Sequence, residues 1–291
     1  MGPRPGGQKA FEAECGCELK FVALEDGVSL LNRLRMEGKN SKADVVLGLD
    51  NNLLEAAAQS KLFAKSNVPA SAVSVPGGWD NDTFVPYDYG YFAFVYDKNK
   101  LANPPKSLKE LVEGLQKWRV IYEDPRTSTG TGPAAVDAKG LWRSSARGWQ
   151  KLAAKTVTVT KGWSEAYGLF LKGESDTVLS YTTSPAYHMI EEKKDNYAAA
   201  SFAEGHYLQV EVAARTAASK QPELAENSSN LWYLGFQNAI PTGNWMYPVT
   251  RVTLPAGFDT GEAADHPVLY PAAGRQRASN WISAWQRAVS R

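Results

Sequence analysis

The stretch TVTVTKGWSEAYGLFLKGESDTVLSYTTSPAYH, residues 156–188, decides the fold class. TVTVT (156–160) alternates in the manner of a half-buried strand, and GWSEAYGLFLKGE (162–174) is amphipathic at helical spacing. SDTVLSY (175–181) returns to strand character. Strand, helix, strand is the repeating unit of an α/β sheet. Just beyond it, LSYTTSPAY (179–187) packs two tyrosines, two threonines and two serines into nine residues at a strand end.

The same rhythm extends in both directions. LKFVAL (19–24) reads as a strand, and DGVSLLNRLRMEG (26–38) as a helix with Val28, Leu31 and Leu34 on one face, closed by Gly38. ADVVLGL (43–49) is a continuous apolar run of the kind buried in a parallel sheet, with Asp50 and Asn51 as caps for the helix NLLEAAAQSKLF. Two strand pieces broken at Pro86 and Gly90 are expected across 84–100, and Ser107 with Glu110 forms a capping box. WRVIYED (118–124) and LQVEVAA (208–214) are strands, and WISAWQRAV (281–289) is a helix.

A chain of 291 residues fits two lobes of ordinary size. With 32 basic and 31 acidic residues interspersed, it has no field to gather nucleic acid or an anionic membrane. No run approaches the roughly 20 apolar residues of a membrane span. The nine tryptophans and 13 tyrosines exceed what cores need, which leaves some for recognition. Cys15 and Cys17 are too few for a zinc site and read as structural, either free thiols or a tight ring disulfide. His188, His206 and His266 show no metal-ligand spacing, and a lone histidine such as His188 reads as a surface or helix-capping residue. No triad, nucleotide loop or dinucleotide fingerprint is present.

What remains are segment ends rich in hydroxyls and rings: Asp26 and Gly27, Ser128 and Thr129, Gly162 and Trp163, and Tyr181 to Tyr187. Ligands of open α/β sheets bind beyond the carboxyl ends of strands. Helix starts and hydroxyls suit a phosphate, and tyrosine and tryptophan faces suit a flat cation.

Long stretches carry a resemblance that short motifs could not. LEDGVSLLNRLRMEGKNSKADVVLGLDNNLL, YGYFAFVYDKNKL, VIYEDPRTST, TVTVTKGWSEAYGLFLKGESD, LSYTTSPAYH, YLQVEVAARTAASKQPELA and FQNAIPTGNWMYPV resemble the periplasmic thiamine-binding proteins of ABC import systems. The resemblance implies a two-lobed α/β periplasmic-binding-protein-like architecture with a ligand cleft between lobes. It places residues 1–88 and 211–291 in a first lobe, incomplete at its N-terminus, and 89–210 in a second. It implies a periplasmic receptor, a monomer, that carries thiamine, thiamine phosphate or thiamine diphosphate to an inner-membrane ABC permease. No catalytic residue, metal, nucleic acid or cofactor is implied. By position, Asp26, Gly27, Ser128, Thr129, Trp163, Tyr181, Thr182, Thr183 and Ser184 would line the cleft, with Tyr187 and Trp245 as further aromatic walls. Two other readings are a thiaminase-like transferase using Cys15 or Cys17 as nucleophile, and a receptor for ferric ion held by Tyr181 and Tyr187.

Four patches break the pattern: 1–9, 130–148, 226–235 and 259–279. The family opens with an export signal and a first strand ending in a tyrosine and an aspartate, where this chain has MGPRPGGQ and no signal-like apolar run. The expectation is an internal start, wrong-frame translation in the other three patches, and a chain that folds poorly or binds thiamine weakly.

Overall fold

The computed structural model describes residues 5–128, 146–226, 236–258, 267–268 and 275–290. The chain forms two compact units: Met1–Tyr89 with Gln209–Pro255, and Gly90–Leu208 with Ala256–Arg291.

The first unit opens with α1 (Pro5–Cys15), which starts inside the first patch and runs past its end, and α2 (Gly27–Glu37). Asp26 caps α2 by accepting from the Ser29 N–H at 2.9 Å, and Gly38 ends it at φ 55°, in the left-handed region that favours glycine. Leu31 and Leu34 of the expected stripe are buried. β1 (Val45–Asp50) follows, then α3 (Leu54–Ser60) and the short β2 (Phe63–Ala64). LKFVAL forms no strand; Phe21, Val22 and Leu24 are exposed there. An apolar run becomes a strand by pairing its backbone, and none pairs with it among the described residues.

β3 (Val85–Asp97) is one continuous strand through Pro86 and Gly90, not two pieces. Successive neighbours hold successive parts of it. β9 (Tyr247–Pro248) pairs at Asp88 and Tyr89, β6 (Thr177–Tyr181) at 92–96 and β7 (Tyr197–Ala199) at 95–97. Pro86 sits one residue inside the strand start, where a missing N–H costs little.

The second unit adds α4 (Leu108–Glu113), β4 (Val120–Glu123), α5 (Ala146–Lys155), β5 (Thr156–Thr160), α6 (Trp163–Leu171), β6 and α7 (Ser184–Glu191). Ser107 caps α4 through the Glu110 N–H at 2.9 Å, while the Glu110 carboxylate accepts from Lys106 rather than closing on Ser107. β4 lies parallel to both β5 and β6, and β6 lies antiparallel to β3. One face of this sheet carries Phe92, Phe94, Val120, Tyr122 and Leu179, packed with Trp149 and Leu152 of α5. The opposite face carries Val95, Ile121 and Val178 under Ala166, Tyr167 and Phe170 of α6.

β8 (His206–Thr216) returns the chain to the first unit, where β1 pairs with it antiparallel. The buried parallel neighbour expected for ADVVLGL is therefore not its partner. After α8 (Ile240–Gly243) and β9 come β10 (Pro267–Val268) and α9 (Arg275–Val289), both in the second unit. Residues 256–291 thus group with the second unit, whereas the sequence-based division put all of 211–291 in the first lobe. The reason is packing: Ala284, Trp285 and Ala288 of α9 join the second unit's core, and the Trp285 Nε1–H donates to the Tyr122 hydroxyl at 2.9 Å.

Candidate functional site

In the second unit, the carboxyl ends of β4 and β6 meet the starts of α6 and α7. Gly162 is the residue before α6, and no side chain caps that helix start. The half-buried Trp163 follows, with its indole stacked on Tyr167 at 5.1 Å between centroids. Its Nε1–H donates to Ser180 Oγ at 2.9 Å, and Ser180 and Ser184 share a hydroxyl contact of 2.6 Å. The Tyr181 N–H also donates to Ser184 Oγ, at 3.2 Å. Thr182 and Thr183 are buried, with the Thr182 N–H bonded to Tyr91 O at 2.9 Å. Ser128, also buried, lies in the loop after β4. Thr129 and the body of the 130–148 patch lie outside the described residues, as do 227–235 and His266.

The two tyrosines of the hydroxyl-rich stretch part company. Tyr181 stacks on Phe92 at 5.1 Å, on the sheet face opposite to Ser180. Tyr187 is 38% exposed and meets His188 edge-on at 5.1 Å.

His188 is not a surface histidine: its side chain is fully buried. Its Nδ1 lies 2.5 Å from a Glu192 carboxylate oxygen and its Nε2 2.8 Å from the Tyr167 hydroxyl. A carboxylate only accepts, so Nδ1 carries the proton and Nε2 accepts from Tyr167. Burial lowers the His188 pKa and Glu192 opposes that, while burial raises the Tyr167 phenol. The chain Glu192–His188–Tyr167 thus ends on the ring that supports Trp163. Residue types alone gave no sign of it. The i,i+4 spacing of His188 and Glu192 was the available signal.

In the first unit, Asp26 is half-buried as a helix cap and Gly27 is buried. Trp245 sits between α8 and β9 with a positive φ of 56°, a backbone state that side-chain-bearing residues rarely adopt. Its loop is tied down on both sides: Asn244 donates to Asp88 at 2.9 Å, and Gln237 accepts from the Val249 N–H at 2.8 Å. Tyr247 stacks on Tyr89 at 5.3 Å.

Sequence reading missed the buried acids of this unit. Asp50, read as a helix cap, is instead 1% exposed; it accepts from the Gln209 side chain at 2.8 Å and the Asn52 N–H at 2.9 Å. Burial pushes its pKa up to about 7. Asp88 is also raised, by burial first and then by the charge and hydrogen bond of Glu211. No group of three or more metal-ligating side chains occurs among the described residues.

Cys15 and Cys17 form a disulfide across Gly16, which has φ 62°. The protein therefore has no free thiol to act as a nucleophile. A ferric pair is equally unsupported, since Tyr181 is stacked on Phe92 and Tyr187 on the His188 edge.

Residues 4–227 match the family described as bacterial extracellular solute-binding protein. The chain belongs to that family. The solute-binding protein is 73% identical over 293 aligned positions to the thiamine-binding periplasmic protein of Salmonella typhimurium strain LT2, covering 100% of this chain and 90% of that one. It is similar to a solved structure titled periplasmic thiamin binding protein, with a TM-score of 0.94, 71% identity, and coverage of 99% of this chain and 91% of the other. Iron-bound HitA from Pseudomonas aeruginosa shares the fold at a TM-score of 0.76 and 21% identity, covering 97% and 94% of the two chains. These likenesses establish the two-lobed α/β solute-binding fold.

Proposed function

We propose that this chain is the substrate-binding component of a thiamine ABC importer. It works in the periplasm, binds thiamine, thiamine phosphate and thiamine diphosphate, and delivers them to an inner-membrane permease. The observation that carries this reading is the 73% identity, across the whole chain, to a protein named for thiamine binding. The chemistry of the second unit supports it. Trp163, held by Tyr167 on one face and by Ser180 at its N–H, is a fixed ring for a flat cation. The hydroxyls of Thr182, Thr183 and Ser184, at the start of α7, suit a phosphate tail, to which Ser128 and Thr129 would add theirs. Tyr187, exposed on α7, adds aromatic surface. In the first unit, Asp26 would accept from an aminopyrimidine, beside Gly27, and Trp245 supplies a further indole. The protein acts by binding and release, without a catalytic residue or a cofactor.

Tryptophan fluorescence, titrated with thiamine, its two phosphates and ferric ion, tests the proposal. A saturable change with the three thiamine forms and none with iron is expected, and Trp163→Ala should weaken it at least tenfold. Saturation by iron with no response to any thiamine form would refute the reading.

A further inference from the structure

Glu123 is the last residue of β4 and is fully buried. Ile121, two residues earlier, packs under α6, while Val120 and Tyr122 pack on the other face. Alternation therefore turns Glu123 toward α6. β4 is the middle of three parallel strands, so Glu123 has a neighbour on each side. In β5 it is registered with Thr160. In β6, Ile121 is registered with Val178, and two residues further along both strands stand Glu123 and Ser180. The flanking hydroxyls are already used: Thr160 donates to Gly162 O at 2.8 Å, and Ser180 is held by Trp163 and Ser184. Both Glu123 carboxyl oxygens are buried and have no hydrogen-bond partner.

An ionised carboxylate without a hydrogen bond in such a place is too costly to persist. Burial pushes the Glu123 pKa up to about 8, against the smaller opposing pull of its own backbone N–H and with no contribution from a neighbouring charge. The charged groups around it explain why. Lys161 and Glu165, at the start of α6, are exposed; Asp124, next in the chain, is paired with Arg126; Asp176 lies before the far end of β6 and is paired with Arg119. Of the titratable groups on α6, Tyr167 faces this side of the sheet, and its phenol is committed to His188. Tyr181 of β6 is on the other face.

We propose that Glu123 is a ligand-linked proton switch: a neutral acid in the free protein, which releases its proton to solvent when a flat cation settles against Trp163. The inference rests on the thiamine reading above. The step balances as a carboxylic acid and a cationic ligand becoming a carboxylate, bound cation and free proton. A positive charge held against Trp163 acts on Glu123 through its buried surroundings and favours the carboxylate that burial alone disfavours.

Calorimetry of the full chain with thiamine at pH 7, in buffers of different ionisation heat, reads the exchanged proton directly. The wild type should release close to one proton per ligand, and its affinity should rise by up to about tenfold per pH unit below pH 8. Glu123→Gln should bind with no buffer dependence and with a flat pH profile. An infrared difference spectrum of the wild type, free against saturated, should lose protonated-carboxyl intensity, which keeps the test decisive if the variant does not fold. Binding without proton release, release that persists in Glu123→Gln, or a difference spectrum without that loss overturns the inference alone. No binding of thiamine overturns it together with the proposed function.

Discussion

Replacing Asp50 with asparagine tests how the first unit's stability responds to pH. Burial lifts the Asp50 carboxyl from its usual 3.8 to about 7, against the opposing pull of the Gln209 and Asn52 bonds. In the unfolded chain the group titrates near 3.8, so between about pH 4 and pH 7 the folded protein holds a proton that the unfolded protein has lost. Stability must then fall as pH rises through that window, by at most about 1.4 kcal/mol per pH unit. The full displacement, about 3 units, corresponds to roughly 4 kcal/mol between pH 4 and pH 8. Asp50→Asn removes this pH dependence. Asparagine keeps one carbonyl oxygen for the Asn52 N–H, and Gln209 can turn its amide to accept from the new NH₂. The assay is urea unfolding of wild type and variant at intervals from pH 4.5 to pH 8.5. Because Asp88 and Glu123 titrate in both proteins, the difference between the two curves isolates Asp50. That difference should shift by several kcal/mol in favour of the variant as pH rises. Curves that stay parallel across the range would show that Asp50 is ionised in the folded protein and refute the reasoning.

Three further outcomes are expected. Tyr167→Phe leaves the His188 Nε2 buried without its donor, which should cost about 1–3 kcal/mol in chemical unfolding and shift the Trp163 fluorescence. Trp285→Ala removes a buried ring and the partner of the Tyr122 hydroxyl; it should cost about 3–5 kcal/mol, with limited proteolysis showing the second unit opening first. Changing Cys15 and Cys17 to serine breaks a disulfide that closes a very short loop, so thermal unfolding should reveal a loss of no more than about 1.6 kcal/mol.

Several local features were legible because they are local. The α2 cap at Asp26, its stop at Gly38 and the Ser107 cap of α4 each depend on residues within four positions of one another. The hydroxyl-rich turn after β6 was legible for the same reason, and the structure draws Ser180, Ser184 and Trp163 into one bonded group there. Tyr181 shows the limit: a tyrosine at a strand end presents its ring to whichever face the pleat assigns, and here that face carries Phe92.

The chain's periodicities, caps and long family-like stretches determined by themselves that it is an α/β solute-binding protein, because such patterns express the needs of single elements. Only the tertiary structure decided that β1 runs antiparallel to β8, that β3 is unbroken, that α9 joins the second unit, and that Asp50 and Glu123 are buried acids. Strand partners and dielectric surroundings come from segments remote in sequence; Gln209 reaches Asp50 across 159 residues. A side chain's charge follows from that environment, which no neighbouring residue in the sequence records.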